Sequence, residues 1–394
     1  MIQVKPCLVT QANPLVQGTS TNAILAFSNE LKTIAGIINL AIGEPDFNTP
    51  EHIKQSAIQD VLANDSHYGP YDGTVTLREN AARFLNKHYG TQYEASEIMA
   101  TVGVTEAIYA TFKALLNPGD AVLIPTPNFP QYGIGVTFNG GQVVNVDTST
   151  TGFKLTATDL EVTLQTHPQI KAVIITSPGN PTGVVYTESE LQTLVAVLRT
   201  YDVYVISDEI YSELVYENRH VSLAALLPEQ TILFNGVSKT HAMTGYRIGI
   251  IAAPQVIRDQ IGVVHQLIVA ALPNASVAAA AEAFGAGADD AVTTGMKAEY
   301  QKRRDMLVAV LDELHLIYAQ PAGAFYLWFK APESLGDDDW QLARDLAHTQ
   351  QLGLMPGSAF GDGGAGWLRI SYAASTADIL EAGQRLRAYF GTLK

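Results

Sequence analysis

Lys239 lies in the run Ser238-Lys239-Thr240-His241-Ala242-Met243-Thr244-Gly245-Tyr246-Arg247-Ile248-Gly249. A primary amine in such a setting can condense with an aldehyde to form a Schiff base and so hold an electron-withdrawing ring. Arg247, eight positions on, offers a cation for a phosphate. Alone, a lysine beside serine and glycine reads equally well as a solvated loop residue. Asp208 follows Val203-Tyr204-Val205-Ile206-Ser207, a short and nearly all-apolar run. That pattern predicts a strand buried in a parallel sheet, and an acid at its carboxyl end sits where open α/β sheets bind ligands. The acid either pairs with a protonated ring nitrogen or caps a helix. Tyr211 would face away from Asp208 in a continuing strand, so the spacing ends the strand at the acid. Its hydroxyl then bonds a ligand oxygen or packs half-buried.

Asn180 lies in Ser177-Pro178-Gly179-Asn180-Pro181-Thr182-Gly183, after the strand-like Ala172-Val173-Ile174-Ile175-Thr176. Two prolines and two glycines make this a rigid loop, which suits a positioned side-chain amide and also an ordinary tight turn. Gly103-Val104-Thr105-Glu106-Ala107 opens a helix predicted to run to Leu116, and a helix N-terminus favours phosphate. Thr105 and Ser238 add hydroxyls there. Phe129, between Pro127 and Pro130 after the strand-like Ala121-Val122-Leu123-Ile124-Pro125, is held to stack on a flat ring or to enter the core. An amine, an acid, an amide with a phenol, an aromatic face and a phosphate cradle are together what pyridoxal phosphate requires.

The ordered motifs resemble those of the class I/II aminotransferases, fold-type I pyridoxal-phosphate enzymes, over nearly the whole chain. The resemblance runs from Asn39-Leu40-Ala41-Ile42-Gly43-Glu44-Pro45-Asp46-Phe47 through Tyr68 and the Gly73 to Arg78 stretch. It continues to Pro356-Gly357-Ser358-Ala359-Phe360-Gly361 and Trp367-Leu368-Arg369-Ile370-Ser371-Tyr372. It implies that Lys239 carries the Schiff base and shuttles the proton, that Asp208 binds the pyridine nitrogen, and that Asn180 and Tyr211 bond the phenolic oxygen beneath Phe129. Val104, Thr105, Ser238 and Arg247 would hold the phosphate, joined by Tyr68 from the other subunit of a homodimer. Arg369, with Asn180 and the backbone at Gly43, would bind the substrate.

Arg369 also stands out by pattern, because its segment alternates like a half-buried strand and sets the arginine on the opposite face from Leu368 and Ile370. A guanidinium so placed grips a carboxylate bidentately or simply faces solvent. Two departures from the family pattern are visible. Gly236 stands where many relatives carry a phosphate-binding serine, and Phe129 stands where tyrosine or tryptophan is frequent. A narrower likeness, in Gly152 to Ala157, Ser207 to Leu214 and Ser238 to Gly249, points to the bacterial branch of aminotransferase A and N-acetyl-L,L-diaminopimelate aminotransferase. Aromatic or aspartate transamination and C–S β-elimination are the alternatives. Ile24, Phe27 and Phe360 are placed around the substrate side chain by the resemblance alone.

Composition agrees. The chain has 394 residues, 47% of them hydrophobic, which exceeds the size at which one core divides into domains. A net charge of −15 excludes nucleic acid and anionic membrane as natural partners but not a small anionic substrate. Cys7 is the only cysteine, and no histidine spacing suggests a metal site, so His241 reads as packing or polar support. Met1 to Pro6 show no charged-then-apolar pattern, and the apolar region Ile261 to Phe284 is interrupted by polar residues and reads as buried helix and turn. A cytoplasmic setting is expected.

These residues need elements to converge them. Strand and helix patterns alternate from about Glu94 to Ala253, which predicts an α/β domain with a mostly parallel mixed sheet flanked by helices. A charged helical stretch from Ala288, containing Lys302-Arg303-Arg304-Asp305, and strand patterns at Gly323 to Phe329 and Trp367 to Tyr372 predict a smaller α+β domain. The expected division is 47–285 for the large domain, with 1–46 and 286–394 forming the small one.

Overall fold

The structure is a computed structural model and describes residues 4–9, 11, 13–17, 23–286 and 291–391. Met1, Ala288 and the side chain of Cys7, all used above, lie outside what is described. Twelve strands are found among the described residues: β1 Ile38–Asn39, β2 Ile98–Thr101, β3 Ala121–Thr126, β4 Gln142–Asp147, β5 Ile170–Thr176, β6 Tyr204–Asp208, β7 Thr231–Gly236, β8 Gly249–Ala252, β9 Tyr326–Lys330, β10 Leu352–Gly353, β11 Met355–Pro356 and β12 Trp367–Ser371.

Seven of them form one sheet in the order β2-β8-β7-β6-β5-β3-β4. Only β8 runs against its neighbours β2 and β7. The expected mostly parallel mixed sheet is therefore present. Its strands are apolar on both faces because helices cover both. Val122, Ile124, Ile174 and Ile206 enter one cluster with Ile108 and Phe112, while their sequence neighbours Leu123, Val173, Ile175 and Val205 enter another with Leu160 and Leu191. This is the period of two expressed in packing.

The remaining strands build two small sheets. β9, β11 and β12 form an antiparallel sheet in the order β11-β12-β9, and β1 pairs in parallel with β10. Leu40 and Ala41 share a core with Phe325, Trp328 and Leu352, so the segment after β1 packs on the C-terminal part. The basic run in the helix Ala291–Glu313 is less solvated than a charged stretch suggests. Arg303 and Arg304 are buried, the first paired with Asp46 at 2.8 Å and the second with Glu217 at 2.5 Å.

One reading needs correction. The region 261–284 forms the helices Gln255–Val269 and Asn274–Ala286 around a turn, but the first is not wholly buried. Ile261 and His265 point inward, whereas Val263 is 63% and Leu267 83% exposed. The helix carries apolar residues on both faces, and only one meets the sheet. No helix among the described residues is long and apolar enough to cross a membrane.

Candidate active site

The carboxyl ends of the parallel strands deliver the predicted residues to one edge of the large sheet. Asp208 closes β6, and Ser238 and Lys239 lie in the helical turn Val237–Thr240 immediately after β7. Asn180 follows β5, Phe129 follows β3, and Val104 and Thr105 open the helix Gly103–Leu115 that follows β2. The small sheet contributes Arg369 from β12, and Gly43 follows β1. All of these, with Tyr211 and Arg247, line a single cavity of about 300 Å³. Tyr68 does not. It is 92% exposed and borders a separate depression with His67 and Asn274.

The Lys239 amine donates to the Gly43 carbonyl at 2.8 Å. Burial pushes the amine down to about 8; Glu44 opposes the fall, and the cations Arg369 and Arg247 add to it. Asp208 is 3% exposed and accepts from the Tyr132 hydroxyl at 2.6 Å and the Ile210 N–H at 3.2 Å. Burial pushes its carboxyl up to about 6 in spite of both bonds. The helix-cap alternative for Asp208 fails, since no helix of the described chain starts there. Tyr132 was not singled out in the sequence, although it lies three residues beyond Phe129. A buried carboxylate needs a donor, but nothing local says which distant hydroxyl supplies it.

Arg369 is 2% exposed, which excludes the solvent-facing alternative. Its guanidinium donates to the Asn180 side-chain oxygen at 2.8 Å and to the Ala41 carbonyl at 2.6 Å. It lies between the rings of Tyr326 and Phe360, 4.4 and 4.7 Å from their centroids. The bond to Arg369 uses the Asn180 oxygen and leaves the amide nitrogen as that side chain's donor. Tyr211, buried, bonds the hydroxyl of Tyr326 at 2.7 Å. Tyr326 is a second cavity residue that sequence reasoning missed. Its strand was visible, but its face was assigned no role.

Ile24 lines the cavity with Leu25 and Ser28, as one side of the helix Ala23–Leu31. Phe27 does not; it is buried against Trp340, 5.4 Å between ring centres. Ile24, Ser28 and Leu25 span one arc of the helix and Phe27 falls just beyond its Ile24 edge, where it meets Trp340, so its placement beside the substrate is corrected to core packing. Phe360 does not line the cavity either; it is buried with its ring 4.7 Å from the Arg369 guanidinium. His241 is buried beside the Thr240 hydroxyl, at 2.7 Å from Nδ1. Phe129 is half-buried and meets Tyr132 edge-on.

Beside Arg247, Gly103 has φ +70°, and a Cβ there would overlap the guanidinium. Glycine thus lets the cation lie against the helix N-terminus. Gly249 has the same logic: a Cβ would meet Val104 N at 2.6 Å and the Gly103 carbonyl carbon at 2.7 Å. Gly236 sits opposite Gly249 in the β7–β8 register, and a side chain on it would meet Gly249 Cα and the Ile248 oxygen at 3.0 Å. The departure at Gly236 therefore goes with a tight glycine pair under the cradle. Gly249→Ala is expected to destabilise the protein by roughly 1–3 kcal/mol, because backbone on both sides must move. A thermal melt with and without pyridoxal phosphate measures it, and the bound form should lose more than the free one.

The donor set fits pyridoxal phosphate: a lysine amine with lowered pKa, a buried carboxylate, hydroxyl and amide donors, and a glycine-lined helix start beside the Arg247 guanidinium, which donates to the Thr244 carbonyl at 2.8 Å. Comparisons with known proteins agree. Residues 35–386 match the family described as aminotransferase class I and II. A probable N-acetyl-LL-diaminopimelate aminotransferase of Bacillus subtilis is 39% identical, over 96% of this chain and 95% of its own. An aromatic-amino-acid aminotransferase of Thermococcus litoralis is 36% identical over 90% and 91%. The solved aspartate aminotransferase of Thermus thermophilus with maleate is 31% identical, with a TM-score of 0.90 over 95% of this chain and 98% of that one. The chain belongs to the class I and II aminotransferases. It is a pyridoxal-phosphate-dependent enzyme that moves an amino group between an L-amino acid and a 2-oxo acid.

Proposed function

We propose that Lys239, Asp208, Tyr211, Asn180 and Arg369 carry this reaction as follows. When bound, pyridoxal phosphate supplies the aldehyde that receives the amino group and a ring that withdraws electrons from the α-carbon. Arg369 grips the α-carboxylate and so fixes the direction of the Cα–H bond. The Lys239 amine would take the α-proton and later return it. Its lowered pKa leaves an appreciable basic fraction at neutral pH. Asp208 keeps the ring nitrogen protonated; Tyr211 and the Asn180 amide donate to the ring oxygen. Val104, Thr105, Ser238 and Arg247 hold the phosphate, and Phe129 covers the ring.

The reading is extended to the substrate. The amino donor is N-acetyl-L,L-diaminopimelate, with 2-oxoglutarate and glutamate as the other pair, which places the enzyme in lysine biosynthesis. The observation that supports this is the apolar part of the cavity lining. Ile24, Leu25 and Ile42 present apolar surface, with Ser28 and Gln131 as polar groups. Beyond Lys239, Arg247 and Arg369 the described lining offers no further cation. N-acetyl-L,L-diaminopimelate and 2-oxoglutarate carry a second carboxylate, as aspartate does, so charge does not separate them; Ile24, Leu25 and Ile42 suit the longer methylene chain of the first, and Ser28 and Gln131 its acetamide. The relative in Bacillus subtilis points the same way. Initial rates with N-acetyl-L,L-diaminopimelate, phenylalanine and aspartate, each against 2-oxoglutarate, test the assignment. The first is expected to have the highest kcat/KM by at least about tenfold, a difference of about 1.4 kcal/mol in transition-state binding. A higher value for phenylalanine would establish the aromatic alternative, and pyruvate release from cystathionine a β-lyase.

The domain division, 47–285 against 1–46 with 286–394, is supported by the separate cores of the large and small sheets. A homodimer is supported by exposed apolar side chains on the helix Gln255–Val269 and by Tyr68, which stands outside its own cavity. A cytoplasmic setting fits a chain with one cysteine.

A further inference from the structure

We propose that Tyr326 is a positioning residue for the reaction, its hydroxyl orienting Tyr211 toward the ring oxygen while its ring supports Arg369 toward the substrate carboxylate. Tyr326 is fully enclosed, in β9 at the register position opposite Ser371 of β12. Its hydroxyl lies 2.7 Å from that of Tyr211. Burial raises the pKa of both phenols, so each keeps its proton and each has one to donate. Between two neutral hydroxyls only one donates to the other. If Tyr211 is to donate to the ring oxygen, Tyr326 must donate to Tyr211, and a hydroxyl that accepts a bond becomes a stronger donor.

The same side chain has a second contact of a different kind. The Arg369 guanidinium lies 4.4 Å from the Tyr326 ring centre and 4.7 Å from that of Phe360, and is tied to Asn180. One tyrosine thus touches both the group that meets the cofactor oxygen and the group that meets the substrate carboxylate. Space for it is provided by Gly43, where a Cβ would overlap the Tyr326 hydroxyl. The Gly43 carbonyl in turn accepts the Lys239 amine, so the hydroxyl is fitted into the centre of the site.

The two contacts separate by substitution, since phenylalanine keeps the ring and removes only the hydroxyl. The inference rests on the role proposed for Tyr211, and a double-mutant cycle keeps the two apart. The protein reconstituted with pyridoxal phosphate is titrated with base while the visible absorbance of the lysine-bound cofactor is followed. Tyr211→Phe is expected to move the transition to higher pH, because the ring oxygen loses a donor and holds its proton more tightly. Tyr326→Phe should move it the same way by a smaller amount, roughly half a pH unit. In the Tyr211→Phe background it should add nothing. KM for the amino donor should stay within about twofold in Tyr326→Phe and rise roughly fivefold to tenfold in Tyr326→Leu, which also lacks the ring. An equal shift from Tyr326→Phe in both backgrounds, or no shift while Tyr211→Phe does shift, overturns the hydroxyl role. No shift from Tyr211→Phe removes the role of Tyr211 and this inference with it. An unchanged KM in Tyr326→Leu overturns the support of Arg369.

Discussion

Lys239→Ala is expected to lower turnover by about 10⁴-fold or more, because one substitution removes both the covalent anchor and the base that moves the α-proton. The Lys239 amine is half-buried in the cavity, 2.8 Å from the Gly43 carbonyl and near Arg369 and Arg247. Pyridoxal phosphate should still bind, since the helix start at Gly103, the Arg247 guanidinium and Phe129 are untouched. After borohydride reduction, the wild-type protein should carry the cofactor mass on the peptide containing Lys239, and the variant should carry none. Retention of near-normal turnover would sink the assignment. The pH dependence has a definite sign. With the amine pushed down to about 8, its unprotonated fraction grows as pH rises. The rate at which the cofactor-free protein takes up pyridoxal phosphate covalently should therefore climb through about pH 8 and level off above it. A rate falling over that range would show that another group controls the step.

Asp208→Asn is the second large effect. The substitution nearly preserves shape and can keep the bond from the Tyr132 hydroxyl, but it removes the negative charge at the end of β6. A neutral amide cannot hold a ring nitrogen in its protonated form, so electron withdrawal from the α-carbon weakens. A loss of roughly 10²–10³-fold in kcat is expected, comparable to removing one aimed electrostatic group from an enclosed site. Thermal stability should change little or rise, because burial already works against the charge and pushes the carboxyl up to about 6. A melt run beside single-turnover kinetics distinguishes the two: lost activity with an intact melt supports the electrostatic role, and a collapsed melt would make Asp208 a structural residue. Cofactor affinity in the wild type should weaken as pH falls below about 6, where the unliganded carboxyl takes up its proton.

Much of the site was legible because the chemistry lies at strand ends. Apolar runs ending in Pro125, Thr176 and at Asp208 announce buried parallel strands, and such strands open their ligand sites at the carboxyl end. Local pattern therefore picked out Asp208, Asn180 and Phe129 without any knowledge of their partners, while Lys239 stood out by its own run of residues and Gly103 as a helix start. Tyr132 and Tyr326 were not found in this way. Each earns its place through a hydroxyl bond to a residue 76 or 115 positions away, and a lone tyrosine in an apolar stretch looks the same whether it packs or bonds. Phe27 shows the converse error, since a short helix turned by one residue exchanges a cavity face for a core face.

The amino-acid sequence by itself determined the α/β class, the mostly parallel sheet, and the kinds of side chain offered at its carboxyl edge, because strand period and loop chemistry are local properties. Only the tertiary structure decided that Arg369 is buried against two rings, that Tyr326 touches both Tyr211 and the guanidinium, and that Gly236 and Gly249 let a strand pair lie close beneath the helix start at Gly103. Those relations join segments far apart in the chain. They exist only once packing brings β12, β9 and the segment after β1 onto the edge of the large sheet, where desolvation also moves the lysine and aspartate toward the values their chemistry uses.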